Sequence, residues 1–216
     1  IQPGAQWISD RVDLAPPPMA DLAVTLRTTT APEDLTGHPG SRTTSYFSTN
    51  GDSIDAPELN EATHVDHWYF VSGVDVLTDR ATAVAILGDS ITDGRGSTTN
   101  GNDRWPDRLS QRLRENPATT HVAVLNQGIG GNRVLRDGLG PNMLARLDRD
   151  VIAQPGVRWL IILQGINDLG TAAGERAEGR PAATADEIIA AFDQTITRAR
   201  DHGIKVYGGT IMPYGD

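Results

Sequence analysis

The run Ala83-Val84-Ala85-Ile86-Leu87, followed without a break by Gly88-Asp89-Ser90-Ile91-Thr92-Asp93-Gly94, sets the architecture of the chain. Five consecutive apolar residues ending on glycine have the pattern of a strand buried on both faces, as in a parallel sheet covered by helices on each side. The residues downstream repeat the alternation such a sheet needs. A helix is predicted over 105–115, with Pro106 near its first turn and Asn116-Pro117 ending it. A second strand is expected at 122–125, a second helix at 142–152 and a third strand at 159–163. Thr184-Ala185-Asp186-Glu187 has capping-box spacing. The helix it opens carries Ile188, Ile189, Phe192, Ile196 and Ala199 on one face, Gly203 stops it, and a fourth strand follows at 205–211. Strands alternating with helices define a doubly wound α/β sheet over 81–216. The Gly-, Ala- and Arg-rich stretch 170–181 reads as the most mobile loop.

Upstream the pattern differs. Residues 7–14, 22–28, 43–49 and 68–77 are short runs rich in Val, Thr, Tyr and Phe, several with period-two alternation. Turn-rich segments separate them, including Asn50-Gly51. Residues 1–80 are therefore expected to be a β-rich segment. Four short strands do not close a sandwich, so the trailing part of a larger β module is expected. The chain begins at Ile1 with no signal-peptide pattern, which predicts either a removed leader or an internal start.

The 216 residues suffice for one domain, or one plus a small second unit. With 38% hydrophobic and 22% charged residues, the composition supports a core and carries no disorder signature. No apolar stretch approaches a membrane span. A net charge of −9 argues against a nucleic-acid partner, which would need a basic face. The cations are 18 Arg and a single Lys, Lys205, with no cluster among them. The absence of cysteine excludes disulfides, thiolate metal ligands and a cysteine nucleophile.

In doubly wound sheets the reactive groups gather beyond the carboxyl ends of the strands. Three motifs occupy that rim: Gly88-Asp89-Ser90, Asn126-Gln127-Gly128-Ile129-Gly130-Gly131-Asn132, and Gln164-Gly165-Ile166-Asn167-Asp168. A hydroxyl, an amide-rich turn of small residues and a side-chain carboxamide are the parts required for acyl transfer through an oxyanion. Each has a blander reading. Ser90 has the residue type of a helix N-cap, and Asn167 could cap a turn. Asp89, Asp93 and Asp168 suit local backbone bonds, with Asp168 bracing the Asn167 loop. The glycine run fails as a dinucleotide turn because Arg133 occupies the last glycine position. Thr92 likewise breaks the Gly-x-Ser-x-Gly elbow. His64 and His67 have i, i+3 spacing but no convincing helix to make them metal ligands, and Trp105 and Trp159 read as packing residues.

With all three motifs in order, the chain resembles the SGNH, or GDSL-type, serine hydrolases over residues 81–216, which implies a flavodoxin-like fold. The resemblance makes Ser90 the nucleophile and assigns the oxyanion hole to the amides of Ser90 and Gly131 and the carboxamide of Asn167. Gly4-Ala5-Gln6-Trp7, Asp21-Leu22-Ala23-Val24 and Gly73-Val74-Asp75-Val76 look like the two-domain XynE-like members, in which a β-sandwich module precedes the hydrolase. The family's Asp-x-x-His block, source of the base histidine and its orienting aspartate, has no counterpart in these residues. His121 and His202 precede strands and so lie at the opposite rim. His38, His64 and His67 belong to the β-rich segment and reach Ser90 only through an unusual packing. A second chain or a further C-terminal segment is expected to supply the pair.

The expected activity is hydrolysis of short-chain, acetyl-type esters, on small molecules or carbohydrates, with no metal or organic cofactor implied. The alternatives are a carbohydrate-binding or scaffold protein on a degenerate hydrolase shell, or a lipase or thioesterase on the same machinery. The resemblance further implies an extracellular or periplasmic setting.

Overall fold

A computed structural model of the chain describes residues 5–30, 35–49, 54–80 and 82–213. Asn50-Gly51 lies outside the described residues. In the upstream part, β1 (Gly37–His38) pairs antiparallel with β4 (Trp68–Tyr69), and β2 (Ser45–Phe47) pairs antiparallel with β3 (Thr63–Val65). The strands expected at 43–49 and 68–77 are thus present in shortened form. Phe70 adopts φ +63°, a left-handed conformation that ends the extended path of β4. Residues 7–14 and 22–28 correct the expectation more sharply, because they form no ladder. A strand is stable only against a neighbouring edge, and here Trp7, Ile8 and Val12 stay exposed in segments paired with no strand among the described residues.

The second part contains β5 (Thr82–Gly88), α1 (Ser90–Asp93), α2 (Trp105–Glu115), β6 (Val122–Gly128), α3 (Met143–Leu147), β7 (Val157–Leu163), α4 (Ile166–Ala177), α5 (Ala185–Asp201) and β8 (Lys205–Gly208). The four strands form one parallel sheet in the order β6-β5-β7-β8. This is the doubly wound arrangement, with the first strand central and the order reversing beside it. Successive residues of β5 face opposite sides. Ala83, Ala85 and Leu87 pack with Met143, Leu147, Val151, Ile188, Ala191 and Ala199, while Val84 and Ile86 pack with Leu109, Leu113, Trp105 and Trp159. The unbroken apolar run follows directly, because neither face of the central strand meets water.

The helices depart from expectation in instructive places. The segment expected as one helix over 142–152 is α3 followed by a π-helical turn, Asp148–Ile152, in which the Ala153 N–H donates to the Asp148 carbonyl at 2.8 Å. The stretch expected as the loop 170–181 is largely α4. Its helical state is supported by Ala172 in the interior and by an ion pair at 2.8 Å between buried Glu175 and Arg133. The capping box at Thr184 forms as predicted: the Thr184 N–H donates to Glu187 Oε2 at 2.9 Å, and the Glu187 N–H donates to Thr184 Oγ1 at 3.3 Å. On α5, Ile189 is exposed, and Thr195 is buried instead with its hydroxyl donating to the Ala191 carbonyl at 2.9 Å. Gly203, at φ +73°, ends the turn after α5 in the left-handed region. No helix among the described residues is long and apolar enough to cross a membrane.

Candidate active site

Three strand ends form one rim. Gly88 of β5 is the register partner of Gly128 in β6 and of Leu163 in β7, with roughly 4.8 Å between adjacent strands. Ser90, Gly131 and Asn167 lie two, three and four residues beyond that row, so the register alone brings all three to the same edge of the sheet.

Ser90 opens α1, but it does not cap it. Asp89 holds the extended N-cap conformation, and its Oδ1 accepts from the Ile91 N–H at 2.9 Å. The Ser90 side chain is half-buried, and its hydroxyl hydrogen-bonds to no other described residue. Burial raises the Asp89 carboxyl above the usual carboxylate range, the backbone bonds counter this, and the Asp168 charge adds to the rise.

Helix α1 lies across the end of β6. A Cβ on Gly128 would come within 2.3 Å of the Asp93 backbone nitrogen, so only glycine lets the helix approach this closely. Gly131 adopts φ +69°, and a Cβ there would also meet Leu139 at 3.2 Å. The turn that presents its amide therefore requires glycine for conformation as well as space. From the third motif, Asn167 Nδ2 donates to the Asn132 carbonyl at 2.9 Å, joining the carboxamide to the second motif. Asp168 supports the segment just after the second motif rather than its own loop. Its buried carboxylate accepts from the Val134 N–H at 2.9 Å and from the Leu135 N–H at 3.4 Å.

None of the five histidines hydrogen-bonds to Ser90 among the described residues. His121 stands just before β6, and His202 Nδ1 pairs with the Arg198 carbonyl at the end of α5. His67 pairs with the Tyr69 hydroxyl at 2.8 Å, and His64 packs near the Tyr46 ring. His38 crosses to the α/β part, but to a different group: its Nε2 lies 2.6 Å from Oδ1 of buried Asp93, one helical turn beyond Ser90. No group of three or more His, Cys, Asp and Glu side chains among the described residues is arranged to hold a metal ion.

Two features escape a motif-by-motif reading. One is the His38–Asp93 pair, separated by 55 positions. The other is Arg146, which is completely buried and donates from Nε to Asn132 Oδ1 at 3.1 Å. A signal for Arg146 does exist in the sequence. Met143, Leu147 and Val151 make an apolar helical stripe, and Arg146 and Asp150 occupy the adjoining positions of that inward face.

The doubly wound sheet with these motifs at its carboxyl rim defines the SGNH-type α/β hydrolase fold. The model of the GDSL-like lipase/acylhydrolase family matches residues 86–216, and the chain belongs to that family. No curated protein matches the chain. Among solved structures, it is similar to AlinE4, an SGNH-hydrolase family esterase, at 18% identity and a TM-score of 0.46, covering 61% of this chain and 60% of that one. It is also similar to Axe2, an acetylxylan esterase from Geobacillus stearothermophilus, at 23% identity and a TM-score of 0.44, covering 61% of each chain. A GDSL-like lipase from Bacteroides thetaiotaomicron matches at 19% identity and a TM-score of 0.40, covering 62% of this chain and 51% of that one. The chain thus spans between half and about three-fifths of the length of these structures.

Proposed function

We propose that the protein is a serine carboxylic-ester hydrolase acting on short-chain, acetyl-type esters of small molecules or carbohydrates. Ser90 Oγ attacks the ester carbonyl carbon, and the Ser90 and Gly131 amides with Asn167 Nδ2 stabilise the oxyanion. The alcohol leaves with the serine proton, and water then releases the acid from acyl-Ser90. The serine proton passes to a base histidine oriented by an aspartate, as the family resemblance implies. The division into a β-rich segment over 1–80 and a hydrolase domain over 81–216 belongs to the same reading. So does an extracellular or periplasmic setting, which rests on family resemblance.

One observation carries the proposal: Asp89 caps α1, leaving the adjacent Ser90 hydroxyl without a bond to any other described residue at the rim where Gly131 and Asn167 also stand. A fluorophosphonate probe applied to the purified natural protein tests it, because phosphonylation requires an activated hydroxyl. The expected result is one adduct on Ser90 and aryl-acetate hydrolysis that Ser90→Ala abolishes. An unlabelled protein without turnover overturns it. That outcome favours a second reading, a carbohydrate-binding or scaffold protein on the hydrolase shell, which draws on the lack of a histidine bonded to Ser90 among the described residues. Faster turnover of octanoyl than acetyl esters instead identifies a lipase or thioesterase.

A further inference from the structure

Among the described residues, the largest side chain buried completely is a cation, Arg146. Removing a guanidinium from water is costly unless its donors are satisfied, and the partners Arg146 finds are unusually distributed. Nη2 donates to the Gly88 carbonyl at 3.0 Å, at the end of β5. Nη1 donates to the Gln127 carbonyl at 2.6 Å, at the end of β6, and to Asp150 Oδ2 at 3.0 Å. Nε donates to Asn132 Oδ1 at 3.1 Å, and Nη2 also reaches Gln164 Oε1, just past β7, at 3.5 Å. One planar group therefore touches all three segments that lead into the proposed site. Gln164 closes the circuit by donating to Asn132 Oδ1 at 2.5 Å, while the Asn132 carbonyl receives Asn167 Nδ2.

The helix is adapted to this role. Its π-helical turn carries Asp150, which faces Arg146 and is also held by Arg149 Nε at 2.5 Å. Asp150 thus orients the guanidinium from behind, leaving its remaining donors to the strand ends.

We infer that Arg146 is a positioning residue: it fixes the relative placement of the Ser90 amide, the Gly131 turn and the Asn167 carboxamide by bonding to Gly88, Gln127, Asn132 and Gln164. This rests on the proposed ester-hydrolase reading. A lysine at this position keeps the charge but offers no planar fork to span these acceptors. Donors that act on charge developing in the transition state influence turnover more than substrate binding.

Arg146→Lys and Asn132→Ala in the full-length natural protein test the inference, with aryl-acetate kinetics and amide hydrogen exchange as readouts. Asn132→Ala cuts the link to the second motif and leaves Arg146 its other acceptors, so it serves if Arg146→Lys fails to fold. The expected result is a fall in kcat of about 10²-fold with KM within about twofold, as for loss of an oxyanion donor. Exchange should quicken over 127–135 and 164–167 with the rest of the sheet unchanged. Full kcat in a folded variant, or exchange that quickens equally across β5 to β8, overturns the inference. If Ser90→Ala leaves turnover intact, the hydrolase reading fails instead, and the exchange pattern alone decides whether Arg146 holds the strand ends.

Discussion

Asn167 and Asp89 sit at the same rim and make opposite demands on it. Asn167 has one amide hydrogen committed to the Asn132 carbonyl, which aims the carboxamide while leaving the other hydrogen to a ligand. Asn167→Ala should lower ester turnover by about 10²–10³-fold, measured as kcat on an aryl acetate; near-normal turnover removes Asn167 from the oxyanion site. Asp89 is a carboxyl that folding keeps from water, and its pKa is raised chiefly for that reason. Its contribution to stability is therefore full below the ordinary carboxylate pKa and is lost as pH rises through the raised value. Asp89→Asn keeps an oxygen for the Ile91 N–H but carries no charge. Its thermal midpoint should exceed that of the parent at pH 7, with the difference vanishing in acid; a variant less stable at pH 7 contradicts the assignment. Ser90, Gly131 and Asn167 were all legible as residues because each sits in a short motif. Arg146 was not, because an arginine on a helix ordinarily reads as a solvated face, and only its place beside the apolar stripe distinguishes it.

Element by element, what could be read from sequence was whatever local chemistry specifies. β5 announced itself through burial on both faces, and α5 through its reciprocal cap. α4 did not, since Gly170 and Gly174 argue against a helix that tertiary contacts nonetheless stabilise. Residues 7–14 show the reverse error: alternation describes a surface able to join a sheet, but this segment pairs with no strand among the described residues. The crossing of α1 over β6 is the most exacting contact between elements. Gly128→Ala inserts a methyl group 2.3 Å from a backbone nitrogen, a position no rotamer change can relieve. The substitution should cost about 1–3 kcal/mol of stability and lower the yield of Ser90 adduct in folded protein. Unchanged chemical denaturation would mean that α1 is not seated against the strand.

The two parts of the molecule are joined near Ser90. His38 meets Asp93, the Arg104 guanidinium donates to the Ser41 carbonyl as well as to that of Asp93, and Asn100 Nδ2 donates to Thr44 Oγ1 at 2.7 Å. Buried Ser41 completes the seam by accepting from the Trp68 N–H at 3.1 Å, tying it to β4. None of these contacts is visible in a motif, because each links residues far apart in the chain. His38→Ala should speed amide exchange over 36–49 and 63–70 while leaving β5 to β8 protected; uniform exchange would show that the pair carries none of the docking.

The strand order has a consequence for how such a chain comes into being. During synthesis β5 emerges first and offers two open edges. β6 takes one, β7 takes the other, and β8 adds to the far side of β7. Every later strand therefore meets a template that already exists, and none must insert between two neighbours. The serine and the glycine turn are in place once β6 has docked, but the carboxamide arrives only with β7 and the helix behind it. A nascent chain arrested before that point holds Ser90 on an unfinished rim, so the candidate site is assembled late even though its serine is translated early.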